Sequence, residues 1–443
     1  MKLSAPSRVV WSTSLPIIFA GLSETIIHVT DTIFLARVGV VEAGAIALAD
    51  TILEMCMVLT LGVVEGIQIL VARRLGEGRV RAAGQTFNQG LLVLTAASLV
   101  LTSFVLQLAA PVSGMVVTSP QVGGAVAKFL QIMAWGIAFT SANFAYSALF
   151  VGLGRTRVLI WATLVLAITN VGLDYVLIFG KLGFPALGIR GSAMAGLGAE
   201  IASFLFLTGY VLARIDVRRY GLFEFGSLDR RLIKALARLS YPIALKALLE
   251  GLRWLAFFLI VERLGEVALA QSNIVYACYA LFRIPTEGFA ETACSMVSKL
   301  IGEGKAEKIE HLVREVISDA YLVSLPFAGL AFLAPGIVLS FLASEGPLVS
   351  GGEASLRVVC LAMLVIIPAE MWFVTVSGTG DTAAAFGIET VLTAAMVACG
   401  YVTALVLGLR LEYVWLSLPI SWLACLSLSY AWVRAGYWRR VDI

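Results

Sequence analysis

The sequence predicts an all-α membrane protein, with twelve transmembrane helices in two pseudo-symmetric six-helix lobes. Three observations carry this expectation. First, 60% of the 443 residues are hydrophobic and only 14% are charged, where average soluble domains carry roughly 25% charged residues. A water-soluble chain of this length could not cover itself with so little charge. Second, the apolar residues come in long continuous runs. Hydrocarbon requires every backbone polar group to be satisfied by a helix or a closed barrel, and a barrel would show short alternating segments instead. Third, the two halves repeat at a fixed offset, and each half holds an even number of runs.

A helix needs about 20 apolar residues to cross ~30 Å of hydrocarbon. On that rule the first half holds spans near 9–36, 43–70, 83–108, 124–150, 157–179 and 189–213. Span 1 is interrupted by Pro16 and ends before Gly39. Span 2 runs into Arg73 and Arg74 and then Gly76-Glu77-Gly78, and span 4 into Gly152-x-Gly154. A polar stretch, Asp216 to Lys234, follows span 6 and holds Arg218, Arg219, Asp229, Arg230 and Arg231. The second half holds spans near 236–262, 267–298, 315–342, 356–379, 384–408 and 413–434. The expected domains are an N-terminal lobe over 1–214, a cytoplasmic linker over 215–234 and a C-terminal lobe over 235–443.

The repeat offset is 226 residues. Pro16 matches Pro242, Glu24 matches Glu250, and Arg37 with Gly39 matches Arg263 with Gly265. Gly62 and Glu65 match Gly288 and Glu291. Gly76-Glu77-Gly78 matches Gly302-Glu303-Gly304, and Gly152, Gly154 and Thr156 match Gly378, Gly380 and Thr382. Because each half has an even number of spans, both enter the membrane in the same sense. That is a parallel repeat about an axis along the membrane normal, with a cleft between bundles that rocking exposes to alternate sides. Lys and Arg set the orientation. The side of the N-terminus collects 22 of them and the opposite side seven. Both termini and the linker are therefore expected in the cytoplasm, with the chain multi-pass in the cell membrane. The six cysteines all lie inside apolar runs and form no C-x-x-C pair, so they read as small buried hydrophobes.

Charged groups inside a span are costly and often mark ion pathways. Asp31 lies about five residues from the end of span 1, and Asp174 about five from the end of span 5. Both spans run the same way, so at 1.5 Å per residue the two carboxyls reach the same depth, ~8 Å below the surface. Asn170 is one turn before Asp174 on the same face, and Ser192 begins span 6 on that side. Carboxylates, an amide and a hydroxyl offer hard oxygen ligands to Na⁺, and a paired carboxyl can carry H⁺. His28, one turn from Asp31, is a candidate relay, and Glu24 a candidate for the cavity floor. Pro16 removes one helix hydrogen bond and is a candidate hinge. Span 7 carries Lys246, Glu250 and Arg253, and span 8 Arg283, Glu287 and Glu291, both read as self-neutralised ladders. Glu370 and Glu389 have no basic neighbour in sequence and are candidate contacts for a cationic substrate, with pairing across the bundle as the other reading. The second half has no copy of the aspartate pair. Phe257 stands at the position of Asp31 and Gly400 at that of Asp174.

These pieces, in order, resemble the MATE (multidrug and toxic compound extrusion) family, in its archaeal and DinF-like branch. The resemblance covers nearly the whole chain. It rests on Asp31-Thr-Ile-Phe-Leu-Ala-Arg-Val-Gly39, Leu70-Val-Ala-Arg-Arg-Leu-Gly-Glu-Gly78 and Gly152-Leu-Gly-Arg-Thr156. It rests further on Asn170-Val-Gly-Leu-Asp-Tyr-Val-Leu-Ile-Phe-Gly180 and Pro185-Ala-Leu-Gly-Ile-Arg-Gly-Ser192. The resemblance implies a V-shaped pair of lobes exporting organic cations or other amphipaths in exchange for H⁺ or Na⁺, and it assigns coupling-ion roles to Asp31, Asn170, Asp174 and Ser192. A threonine is usual where Ser192 stands, and a histidine is unusual at position 28. A flippase for a lipid-linked or amphipathic substrate is the alternative; Lys246, Arg253 and Arg283 keep it open. No enzyme motif is present: no H-E-x-x-H, no G-x-S-x-G, no P-loop lysine. No catalytic residue, cofactor, nucleic-acid partner or metal other than Na⁺ is expected, and the chain is expected to act as a monomer on a small-molecule substrate within a lipid bilayer.

Overall fold

A computed structural model describes residues 5–117, 119–226, 228–341 and 346–440. The extreme residues of both termini, on which part of the orientation expectation falls, lie outside the described residues. Every regular element among the described residues is helical. In the first half these are α1 (Ala5–Ala36), α2 (Val40–Gly76), α3 (Val80–Val116), α4 (Pro120–Met133), α5 (Ile137–Gly152), α6 (Arg157–Phe179), α7 (Ile189–Arg214) and the short α8 (Val217–Tyr220). The second half holds α9 (Arg230–Glu262), α10 (Glu266–Gly302), α11 (Ile309–Leu333), the short α12 (Pro335–Ser340) and α13 (Gly346–Gly378). It closes with α14 (Thr382–Tyr401), the short α15 (Leu411–Trp415) and α16 (Ser417–Ala435).

Among the described residues nine helices are long and apolar enough to cross a membrane alone, and α2 and the α4–α5 pair cross as bent spans. The twelfth is α9, whose interior carries Lys246, Glu250 and Arg253. The twelve spans match the sequence expectation, with differences at their ends and interiors. Span 4 is broken by 56° between α4 and α5. At the break the helix tightens to shorter backbone bonds: the Ala134 carbonyl accepts from the Ile137 amide at 3.3 Å and also from the Thr102 hydroxyl on α3 at 2.8 Å, so a neighbouring helix supports the bend. Span 9 stops at Leu333, and a proline-led α12 follows.

The repeated glycines have a local cause. Gly78 and Gly304, and Gly154 and Gly380, all stand at helix ends with φ between 66° and 94°. That left-handed region is open to glycine at little steric cost.

By packing, the chain divides into two compact units, Leu15–Tyr241 and Met1–Ser14 with Pro242–Ile443. Of the sequence limits, 1–214 and 235–443, residue 214 is the last of α7 and residue 235 already lies in the first turns of α9. The packing limits fall inside α1 and α9, one or two residues from Pro16 and at Pro242. The start of α1 is bound into the second unit: the Ser7 hydroxyl donates to Asp319 at 2.9 Å, the Ser14 hydroxyl to Thr292 at 2.9 Å, and Trp11 meets Phe289 edge-on. Reciprocally, the linker packs into the first unit. Asn88 donates to the Gly221 carbonyl at 2.7 Å and accepts from the Phe223 amide at 2.8 Å, while Leu232, Leu236 and Leu239 are buried.

Candidate functional site

The site is built by the α6–α7 hairpin and the end of α1. Gly180 ends α6 in the left-handed region, and a Cβ there would stand 2.5 Å from the Ala186 amide nitrogen. The loop turns back tightly: the Leu187 amide donates to the Leu177 carbonyl at 2.9 Å and the Gly188 amide to that of Ile178 at 3.4 Å. From that rung, one turn down α6 is Asp174 and one turn along α7 is Ser192. Close approach of the two helices needs Gly191, whose Cβ would meet the Leu177 carbonyl carbon at 2.6 Å.

One turn toward the helix ends lies an apolar layer. Leu35, Ile178, Ile189 and Ala193 belong to one buried cluster, with Phe34 and Phe179 edge to face at 5.4 Å beside it. Below that layer the expected polar set comes together. Asp31, Asn170, Asp174 and Ser192 are all buried, Asp174 completely. The Asn170 amide nitrogen, in the orientation that meets acceptors, donates to Asp31 Oδ1 at 3.1 Å and to Asp174 Oδ2 at 3.2 Å. The two carboxyl groups are themselves hydrogen-bonding neighbours. Asp174 Oδ1 and Ser192 Oγ are buried with no hydrogen bond of good geometry, and the Ser192 hydroxyl stands within reach of the Asp174 carboxyl. Two adjacent carboxyls, one amide that fixes them and one hydroxyl form an all-oxygen set suited to a proton or a small hard cation. Asp31, Asp174 and Ser192 would hold the ion and Asn170 would orient the acids.

The other expected residues are placed differently. His28 meets neither Asp31 nor a backbone group through its ring. Its Nδ1 lies 3.4 Å from Asp50 Oδ2, because Asp31 points into the α6–α7 hairpin while position 28 faces α2. Glu24 is exposed on α1, with His28 and Glu54 in its electrostatic reach. Pro16 is buried inside α1, two residues past Ser14. Glu370 and Glu389, expected as contacts for a substrate, are buried and held by arginines from across the second unit. Arg283 donates to Glu370 at 2.9 Å, and Arg253 forms a tight pair with Glu389. The ladder of span 7 therefore neutralises partly within itself and mostly across the bundle.

Three residues of the first unit escaped the sequence reading. Asp50 is the partner of His28. Glu200 on α7 accepts from the Asn143 side chain at 2.7 Å, and the same amide donates to the Glu200 carbonyl at 3.0 Å. The signal that could have found Asp50 and Glu200 was the one used for Asp31, an acid inside an apolar run.

Comparison with known proteins agrees with this architecture. The MatE family model matches residues 16–176 and again 242–404, once in each half. A "Probable multidrug resistance protein NorM" of Rhizobium meliloti is 30% identical over 65% of this chain and 62% of its own length. The chain thus spans about three fifths of that relative. A "Probable multidrug resistance protein YoeA" of Bacillus subtilis is 24% identical over 100% of this chain and 96% of its own length. Among solved structures, MATE in the bent conformation matches with a TM-score of 0.90 at 18% identity, over 99% of this chain and 97% of that one. An outward-facing multidrug resistance MATE family transporter matches with 0.87 at 18% identity, over 99% and 98%. The structural likeness establishes the fold, and the two family matches, which together cover more than half of the residues, establish the lineage: the chain belongs to the MatE family.

Proposed function

We propose that this chain is a secondary active transporter that exports small amphipathic or cationic compounds by alternating access, in exchange for H⁺ or Na⁺ bound in the first unit. The observation that carries the reading is the buried Asp31–Asn170–Asp174 constellation, with the Ser192 hydroxyl beside Asp174. A structural ion pair would be closed by a basic residue. This pair is bridged by an amide and flanked by a hydroxyl, with no Lys or Arg among the described residues paired to it, which leaves a site that a mobile cation completes. Membership of a family whose named relatives are multidrug resistance proteins supports the substrate class. The charge asymmetry of the loops supports cytoplasmic termini in a cell membrane. Of the three basic groups that would favour a flippase, Lys246, Arg253 and Arg283, the two arginines are paired with acids, so the exporter reading is preferred.

The test is transport of a fluorescent organic cation in proteoliposomes, with proton and sodium gradients imposed independently. Uphill movement driven by one of the two gradients is expected. Transport indifferent to both would remove the ion-exchange mechanism.

A further inference from the structure

The second unit carries a different charged interior. Arg283 on α10 reaches three carboxylates on three helices: Glu250 of α9 at 2.9 Å, Glu287 of its own helix at 3.0 Å and Glu370 of α13 at 2.9 Å. Its guanidinium also lies over the rings of Tyr279, at 5.8 Å, and Trp422, at 6.0 Å, both within cation–π range. Acids on several helices and aromatic faces around one positive charge describe a cation-binding cage. Here the cation belongs to the chain.

The repeat sharpens the point. Glu250 is the repeat partner of Glu24, so the acid exists in both halves. At the offset of 226 residues Arg283 corresponds to Met57 and Arg253 to Ile27. The second half places two arginines where the first has apolar side chains, and it lacks the aspartate pair. The cage is not a sealed ion pair either. Arg283 Nε, Glu370 Oε2, the Tyr279 hydroxyl and Trp422 Nε1 are all buried without a partner, so donors and acceptors are held in reserve around the guanidinium. Four carboxylates, Glu250, Glu287, Glu370 and Glu389, face three cationic groups, Lys246, Arg253 and Arg283. A guanidinium keeps its charge at any pH the protein meets, so this occupant does not come and go with proton supply.

We propose that the second unit contains a cation site filled by the chain itself. Arg283 is the tethered occupant, and with it in place the unit takes no ion from solution. The coupling ion is thereby confined to the first unit. This rests on the ion-exchange reading above, and the experiment separates the two.

Binding of radiolabelled Na⁺ and uptake of protons by the purified full-length protein are measured for the wild type, for Asp174→Asn and for Asp174→Asn with Glu370→Gln. Alongside, Arg283→Ala is purified with and without guanidinium at sub-denaturing concentration. Loss of all saturable Na⁺ binding in Asp174→Asn is expected, as is a saturable rise in the melting temperature of Arg283→Ala with guanidinium that the wild type does not show. Na⁺ binding that survives Asp174→Asn and disappears with Glu370→Gln would overturn the proposal, since the second unit would then take a free ion beside Arg283. Absence of guanidinium rescue in folded Arg283→Ala would overturn the cage. If Arg283→Ala does not fold, the Na⁺ arms decide alone. If the wild type binds no Na⁺ and no proton is taken up, the first-unit reading fails, and guanidinium rescue still reports on the second.

Discussion

A fully buried carboxylate whose close partners are another acid, an amide and a hydroxyl is costly unless something positive joins it. Asp174 is in that position. Asp174→Asn keeps the volume and removes the charge. It is expected to abolish gradient-driven export while the melting temperature holds or rises, because a repelling group is gone. Asn170→Ala is expected to weaken ion affinity by roughly 10–100-fold, the usual effect of losing a group that orients ligands, as read from the ion concentration for half-maximal transport. Export by Asp174→Asn at wild-type rates would dismiss the site. The four residues were legible because a charge in an apolar run is conspicuous and a four-residue spacing fixes a helical face. Their neighbours were not. His28 pairs with Asp50, and Glu389 with Arg253 over a separation of 136 residues; pairing across helices leaves no mark in spacing. For the same reason Glu370 and Glu389 could be read either as substrate contacts or as paired across the bundle, and the structure shows the pairing.

Helices α6 and α7 must touch backbone to backbone for Ser192 to stand beside Asp174. Gly191 permits that contact, and the three nearest atoms a Cβ would meet are backbone atoms of Leu177 and Ile178, which cannot rotate away. Gly191→Ala is expected to cost about 1–3 kcal/mol through overpacking and to lower ion affinity, since Ser192 is carried on the displaced turn. Gly172, on α6, has nothing within 4 Å of a Cβ, so Gly172→Ala should be neutral or stabilise by roughly 0.5–1 kcal/mol. Thermal unfolding and transport assays on the two variants check the contrast; equal behaviour would mean the hairpin contact does not position the site. At this scale the spans were legible from apolar run length. The break between α4 and α5 was not, because 124–150 reads as one mostly apolar run with no proline inside, and the Thr102 hydroxyl that bonds the Ala134 carbonyl at the bend is distant in sequence.

The packing units do not coincide with the sequence halves: one is the continuous stretch Leu15–Tyr241, and the other joins Met1–Ser14 to Pro242–Ile443. The repeat revealed two halves because duplicated residues stand 226 apart, but which unit holds the ends of α1 and α9 depends on side chains hundreds of residues away. Ser7 and Ser14 are tied to Asp319 and Thr292, and these ties fix the first two turns and more of α1 to the second unit. The consequence is testable by where, not only by how much, stability falls. Ser7→Ala leaves Asp319, which is 8% exposed, without the hydroxyl that donates to both of its oxygens. Removing one partner of a buried hydrogen bond costs about 1–3 kcal/mol. The loss is expected in amide hydrogen exchange of α10 and α11, which hold Thr292 and Asp319, while α3, α6 and α7 keep their wild-type protection. Faster exchange in the first unit with α10 and α11 unchanged would show that the start of α1 belongs to its own half, and that the two units do not interchange their helix ends at the paired prolines.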